Sequence, residues 1–220
     1  MKDLERALRA VVLRVRSLIR PRVFSSKNYW QGRYLHGGNS GAGSYQHMAA
    51  FKAEVLNRFV RDNSVQSVIE FGCGDGNQLR LADYPRYIGY DVSIDVVETC
   101  RAIFREDPTK RFDLLKDYDG NQADLTLSLD VVYHLVEDEV FEDHMKQIFD
   151  ASARFVAVYS SDTDDNSAAI LSHIRHRKFT TWVSANRPDW LLLERILNKY
   201  PYNGDHRSSS FADFHFFARQ

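Results

Sequence analysis

Cysteine is nearly absent from the chain: its 220 residues hold two, Cys73 and Cys100, with no C-x-x-C pair and no metal-ligand spacing. That argues against a disulfide scaffold or a zinc framework and suits a reducing compartment, so no metal and a cytoplasmic location are expected. An excess of one charge is lacking too. The 29 lysines and arginines stand against 30 acids, and a net charge of -1 provides no chain-wide field to draw the protein onto nucleic acid. No uninterrupted apolar run approaches the roughly 20 residues that cross a bilayer. The first residues carry arginines through their apolar stretch and no small-residue cleavage site, so they do not read as a signal peptide. What remains, 44% hydrophobic, 13% aromatic and 27% charged residues, is the composition of a soluble globular protein. The length suits one well-cored domain with some decoration.

Three segments divide the chain. Residues 1–24 concentrate the basic side chains: Lys2, Arg6, Arg9, Arg14, Arg16, Arg20 and Arg22 face only Asp3 and Glu5. At helical spacing Leu4, Leu8, Val11, Val12, Val15, Leu18 and Ile19 form one stripe with arginines opposite, and Pro21 ends the helix. The stripe fits an anionic membrane surface, a dock on the chain's own domain, or a second subunit, so peripheral membrane contact stays open and the oligomeric state unread. Residues 25–63 hold Tyr29, Trp30 and Tyr34. A mobile loop with four glycines between His36 and Ser44 follows, and then a helix capped by Ser44 running to about Asp62.

Residues 64–220 alternate strand and helix. Strands are predicted at 67–71, 86–91, 111–115, 124–129 and 154–160, with helices at 76–83, 93–105 and 135–149 between them. This indicates an α/β fold with a doubly wound, mostly parallel sheet. Residues 189–198 and 210–219 read as two more strands with no helix between them, which implies an antiparallel pair at the sheet edge.

The most informative stretch is Glu70, Phe71, Gly72, Cys73, Gly74, Asp75, Gly76, where an apolar strand runs into a glycine turn. Glycine is needed where backbone turns tightly or approaches a ligand without a Cβ in the way. Asp91 ends the next predicted strand, 19 residues after Gly72, beside that turn, where it can accept hydrogen bonds from ribose hydroxyls. A dinucleotide fingerprint is G-x-G-x-x-G. The spacing here is E-x-G-x-G-x-G, which resembles motifs I and II of class I S-adenosylmethionine-dependent methyltransferases. The resemblance extends from about residue 65 to 160 and on to the edge hairpin. It implies a Rossmann-like seven-stranded sheet and S-adenosyl-L-methionine as cofactor, with Glu70, Gly72, Cys73, Gly74, Asp91 and Val92 along it. Leu127, Ser128, Leu129 and Asp130 match motif IV, which puts Leu129 and Asp130 beside the methionine portion. Neither Asp113 nor Asp117 fits the acid expected after the third strand. Residues 29–44, with Trp30 and Tyr34, look like the N-terminal lid of some small-molecule and sugar-directed methyltransferases.

Methyl transfer asks mainly for alignment and a dry pocket, and an oxygen nucleophile also asks for a base. His134 follows the fourth predicted strand at the carboxyl edge of the sheet and, with an unperturbed pKa near 6.5, suits that role. Tyr133 reads as a substrate wall or hydrogen-bond donor. His173, His176 and Arg177 share one face at helical spacing and suit an anionic acceptor, or simply a solvated helix face. The acidic run from Glu137 to Asp143 opens a predicted helix, where the macrodipole favours negative charge. The expected activity is O-methylation of a small molecule or glycan, without nucleic acid as partner. An NAD(P)-dependent oxidoreductase shares the loop and acid but not the spacing. A non-catalytic cofactor-binding protein docked on a membrane-associated enzyme also remains open. If residues 1–24 bind membrane, anionic liposomes should pellet the full chain and not a form lacking that segment; equal pelleting would remove the membrane reading.

Overall fold

The computed structural model describes residues 24–167 and 171–220. The basic amphipathic segment, and with it any membrane contact, lies outside the described residues except for Phe24. Among the described residues five α-helices and seven strands form the body: α1 Ser26–Leu35, α2 Gln46–Asp62, β1 Val68–Phe71, β2 Tyr87–Asp91, α3 Ile94–Ile103, β3 Lys110–Leu114, β4 Ala123–Leu129, α4 Asp138–Asp150, β5 Ser152–Ser160, α5 Phe179–Asn186, β6 Trp190–Ile196 and β7 Asp213–Arg219.

The strands join in one seven-stranded sheet in the order β3-β2-β1-β4-β5-β7-β6. Pairing is parallel from β3 through β5, with Val68 opposite both Tyr87 and Leu125. β7 then runs antiparallel between β5 and β6. Parallel strands covered on both faces become continuous apolar runs, and β1 accordingly has all four residues buried. Side chains alternate across the sheet into two cores. Val68, Leu125, Leu127, Phe214 and Phe216 pack on one face with Leu56 and Phe59 of α2, whose Phe59 ring stacks on Phe216 at 4.2 Å between centroids. Ile69, Phe71, Val156, Val158 and Phe217 pack on the other with Met145 and Ile148 of α4. The sheet order reverses at β1, so a crevice opens beyond the carboxyl ends of β1, β2 and β4.

Three expectations need correction. No α-helix occupies 76–83: Gly72, Gly74 and Gly76 all have left-handed φ (87, 60 and 77°), which holds the chain in an open loop, and only a 3-10 turn at Leu79–Leu81 follows. Residues 26–35, where no element is predicted, form a helix capped by the Ser25 hydroxyl accepting from Asn28 N–H. Ser44 ends a short 3-10 turn and does not cap α2; Tyr45 holds that position without a side-chain bond. Residues 174–178 have no regular secondary structure, and the helix of this region, α5, starts only at Phe179.

Candidate active site

At the switch point lies a cavity of about 260 Å³. Glu70, Gly72, Cys73, Gly74, Asp91, Val92, Leu129 and Asp130 all line it, as does His134. Its floor is the glycine loop. Gly72 N–H donates to the Tyr90 carbonyl at 2.7 Å, which ties the end of β1 to β2. A Cβ on Gly72 would stand 2.5 Å from Val131 Cγ2, so only glycine lets the loop pass the turn after β4.

Two carboxyls sit low in this floor. Asp91 accepts from Gly74 N–H at 3.1 Å and Ser93 N–H at 3.0 Å; burial nevertheless pushes its pKa up to about 6. Glu70 accepts from the Tyr87 hydroxyl at 2.6 Å, and burial raises it to about 7.

The most consequential residue of the site is one the sequence reading passed over. Lys52, 1% exposed, points from α2 into the cavity wall, with its ammonium 2.7 Å from Asp130 Oδ2 and 5.3 Å from the centre of the Tyr159 ring. It lies in the apolar stripe of α2, one turn after Met48 and one before Leu56. A lone charge in a buried stripe was the available signal. Asp130 itself adopts a left-handed φ of 58°, and its second oxygen accepts from the Tyr133 hydroxyl at 2.7 Å.

The roof comes from α1 and the loop after it. Ser40 and Asp75 exchange hydrogen bonds: Ser40 N–H donates to Asp75 Oδ2 at 2.8 Å and Asp75 N–H to Ser40 Oγ at 2.9 Å. The Tyr45 hydroxyl adds a bond to the same carboxylate at 2.8 Å, and Tyr34 Oη lies 3.0 Å from Ser40 Oγ. The glycine-rich segment is thus latched onto the cavity floor rather than left loose. Gln31 Nε2 donates to the Val92 carbonyl at 2.8 Å and Ser26 N–H to Glu137 at 2.8 Å, which fastens α1 to both walls.

His134 closes the far end. Its Nδ1 lies 2.9 Å from the His173 carbonyl, a bond that only a protonated Nδ1 makes, so Nε2 carries the lone pair. Burial lowers its pKa to about 4, which keeps the ring neutral. Trp30 meets it edge-on at 4.9 Å, while His173 stacks between it and Tyr29.

The remaining expectations are redistributed. Tyr133 does not line the cavity; its hydroxyl orients Asp130 and its ring packs on Phe211. His173, His176 and Arg177 share no helical face and none lines the cavity. His173 supplies the carbonyl behind His134, and His176 Nδ1 pairs with Ser161 Oγ at 2.7 Å. The Arg177 guanidinium is buried on the carbonyls of Leu135 and Val136 and on Asp138, so its donors are committed to the fold. Helical spacing suggested a shared face, but the chain here runs without regular structure along the β4–α4 connection. Two acids of the 137–143 run act structurally, Glu137 on Ser26 and Asp138 on Arg175 and Arg177.

No protein-family model matches the chain, and no curated protein does. Solved structures do. N-methyltransferase NodS from Bradyrhizobium japonicum WM9, in complex with S-adenosyl-L-homocysteine, superposes with a TM-score of 0.68 at 13% identity, over 89% of this chain and 99% of that one. Magnesium protoporphyrin IX methyltransferase ChlM from Synechocystis PCC 6803, with bound S-adenosylmethionine, gives 0.63 at 13% identity over 91% and 100%. The methyltransferase domain of bacterial CtHen1-C gives 0.59 at 17% identity over 76% and 96%. The chain therefore has the Rossmann-like fold of S-adenosylmethionine-dependent methyltransferases.

Removing one member of a buried ion pair leaves the other uncompensated, at a cost of about 3–5 kcal/mol. Lys52→Met should lower the unfolding free energy by that amount in chemical denaturation, and adding Asp130→Asn should recover part of it. Additive losses would show that the pair is not coupled.

Proposed function

We propose that the protein is an S-adenosylmethionine-dependent methyltransferase that acts on a hydroxyl of a small-molecule or glycan acceptor. The observation that carries the reading is the convergence of the glycine loop, Asp91 and Asp130 on one cavity at the sheet's switch point. The donor set suits the cofactor. Gly72 and Gly74 leave backbone space, Asp91 offers carboxylate oxygens to ribose hydroxyls, and the Lys52 ammonium suits a carboxylate. Gln78 lines the cavity with its amide oxygen buried and unpartnered among the described residues, ready to accept from an ammonium. A dinucleotide fold with the order 3-2-1-4-5-6 has no antiparallel strand inserted between its last two, as β7 is here, which weighs against the oxidoreductase reading.

When bound, S-adenosylmethionine supplies a methyl group activated by positive sulfur. The chain's own part is alignment, exclusion of water and proton removal. Trp30, Tyr34 and the Ser40–Asp75 latch cover the cavity. His134 holds a neutral imidazole with Nε2 as acceptor and its Nδ1–H anchored, so it takes the acceptor's proton as the new bond forms. Its lowered pKa makes it a weak base, which suits proton removal late in the transfer rather than alkoxide formation in advance. A small acceptor also agrees with the protoporphyrin named for ChlM. The near-neutral net charge weighs against nucleic acid.

A saturating ligand at 100 times its dissociation constant adds about 2.7 kcal/mol, or roughly 5 to 11 °C for a chain of this size. S-adenosylhomocysteine should raise the melting temperature by that much and NADH should not; the reverse pattern would overturn the assignment. His134→Ala should keep S-adenosylhomocysteine affinity and lose about 10² to 10⁴ in turnover. Unchanged turnover would take the base role away from His134.

A further inference from the structure

The carboxylates near the end of the third strand are not available to a ligand in the cavity. Asp113, on the edge strand β3, is held by Arg101 at 2.7 Å and by Arg111, and neither it nor Asp117 lines the cavity. The cavity nevertheless extends in this direction. Asp91 ends β2, with β1 and β4 on one side of it and β3 on the other. A ribose held by Asp91, with its methionine portion toward Lys52 and Asp130, sends its base toward β3.

On that side the cavity is lined by Phe71, Leu115, Val140, Asp143, His144 and Gln147. The chain passes from β3 to β4 with only a 3-10 turn at Leu115–Asp117, which leaves one face of α4 open to the cavity. Val140, Asp143, His144 and Gln147 recur on that face at three- and four-residue spacing. Phe71, stacked on Tyr90 and met edge-on by Tyr118, makes an aromatic back wall. Apolar walls with few polar groups suit a flat ring with one polar edge. Of those polar groups, His144 is tied to Ser128 Oγ, 2.8 Å from its Nε2, and burial lowers its pKa to about 4, so it brings no charge. The Asp143 side chain is 83% exposed and belongs to the solvent side. Gln147 is half-buried, and its amide has no hydrogen-bond partner among the described residues. An amide offers both an acceptor oxygen and N–H donors, the pair that matches the amino group of adenine and the ring nitrogen beside it.

On the proposal that S-adenosylmethionine is the cofactor, we infer that its adenine base is read from α4, where the Gln147 amide pairs with the 6-amino group and the adjoining ring nitrogen and Leu115 and Val140 serve as apolar walls. Gln147 is thus the residue that sets base specificity, in place of an acid after β3. The missing helix between β3 and β4 has the same consequence: it removes the usual cover from α4 and lets a side chain of that helix reach the base.

Isothermal titration of the full chain with S-adenosylhomocysteine, and with its analogue carrying hydrogen in place of the 6-amino group, tests this. The wild type should bind the analogue about tenfold more weakly, since half of a bidentate pair is gone. Gln147→Leu should bind S-adenosylhomocysteine about tenfold more weakly and no longer distinguish the two ligands. Gln147→Glu keeps an oxygen for the amino group and should keep the preference. Asp113→Asn should change neither affinity. A full preference surviving in Gln147→Leu, or one abolished by Asp113→Asn, would overturn the inference and leave the cofactor in place. A wild-type chain that does not bind S-adenosylhomocysteine at all would overturn the cofactor proposal, and the role of Gln147 with it.

Discussion

The buried ion pair between Lys52 and Asp130 is the constraint on which the site depends. An ammonium with 1% exposure has given up nearly all its hydration, which costs several kcal/mol unless a partner offsets it. Asp130 is the partner, and to serve it must leave β4 in a left-handed turn with φ of 58°. That turn brings Val131 against Gly72, and it lets Tyr133 take the other carboxylate oxygen. A Cβ on Gly43 would come within 2.8 Å of Asp130, so the roof loop is packed onto the same carboxylate. One interaction thus positions α2, the end of β4, the glycine loop and the roof together.

The roof shows how a glycine-rich stretch becomes ordered. Glycine lowers the cost of unusual backbone angles but supplies no contacts of its own. Order comes from Asp75, whose carboxylate takes bonds from Ser40 and Tyr45 while its N–H returns one to Ser40. The latch joins the two most glycine-rich segments of the chain, so the floor and roof of the cavity are fixed relative to each other.

Burial sets the charge state of the cavity. It raises Glu70 to about 7 and Asp91 to about 6, and it lowers His134 to about 4. The carboxyls are therefore held near their titration range at neutral pH while the imidazole is fully neutral. A positively charged ligand beside these carboxyls would favour their ionised form, so binding and proton release from the floor are linked. A neutral His134 adds no repulsion to that cation.

The sheet was legible in the chain because its evidence is local. Runs such as Val68–Phe71 and Ala123–Leu129 are apolar enough to need cover on both faces, and the absence of a helix between the last two strands already implied an antiparallel pair. The glycine spacing and Asp91 were legible for the same reason: a turn and the acid 19 residues on are one short supersecondary unit. Local signals also misled where the backbone broke their period, as at 76–83, which opens on a left-handed Gly76 and forms only a 3-10 turn at Leu79–Leu81, and at 173–177, where no helix exists to give its residues a common face. The sequence by itself thus determined the layer architecture and the residues of the cavity floor. Tertiary structure alone decided that Lys52 belongs to Asp130, that Arg177 serves the fold and that His134 is neutral, because each depends on neighbours 39 or more residues away and on the water their packing excludes.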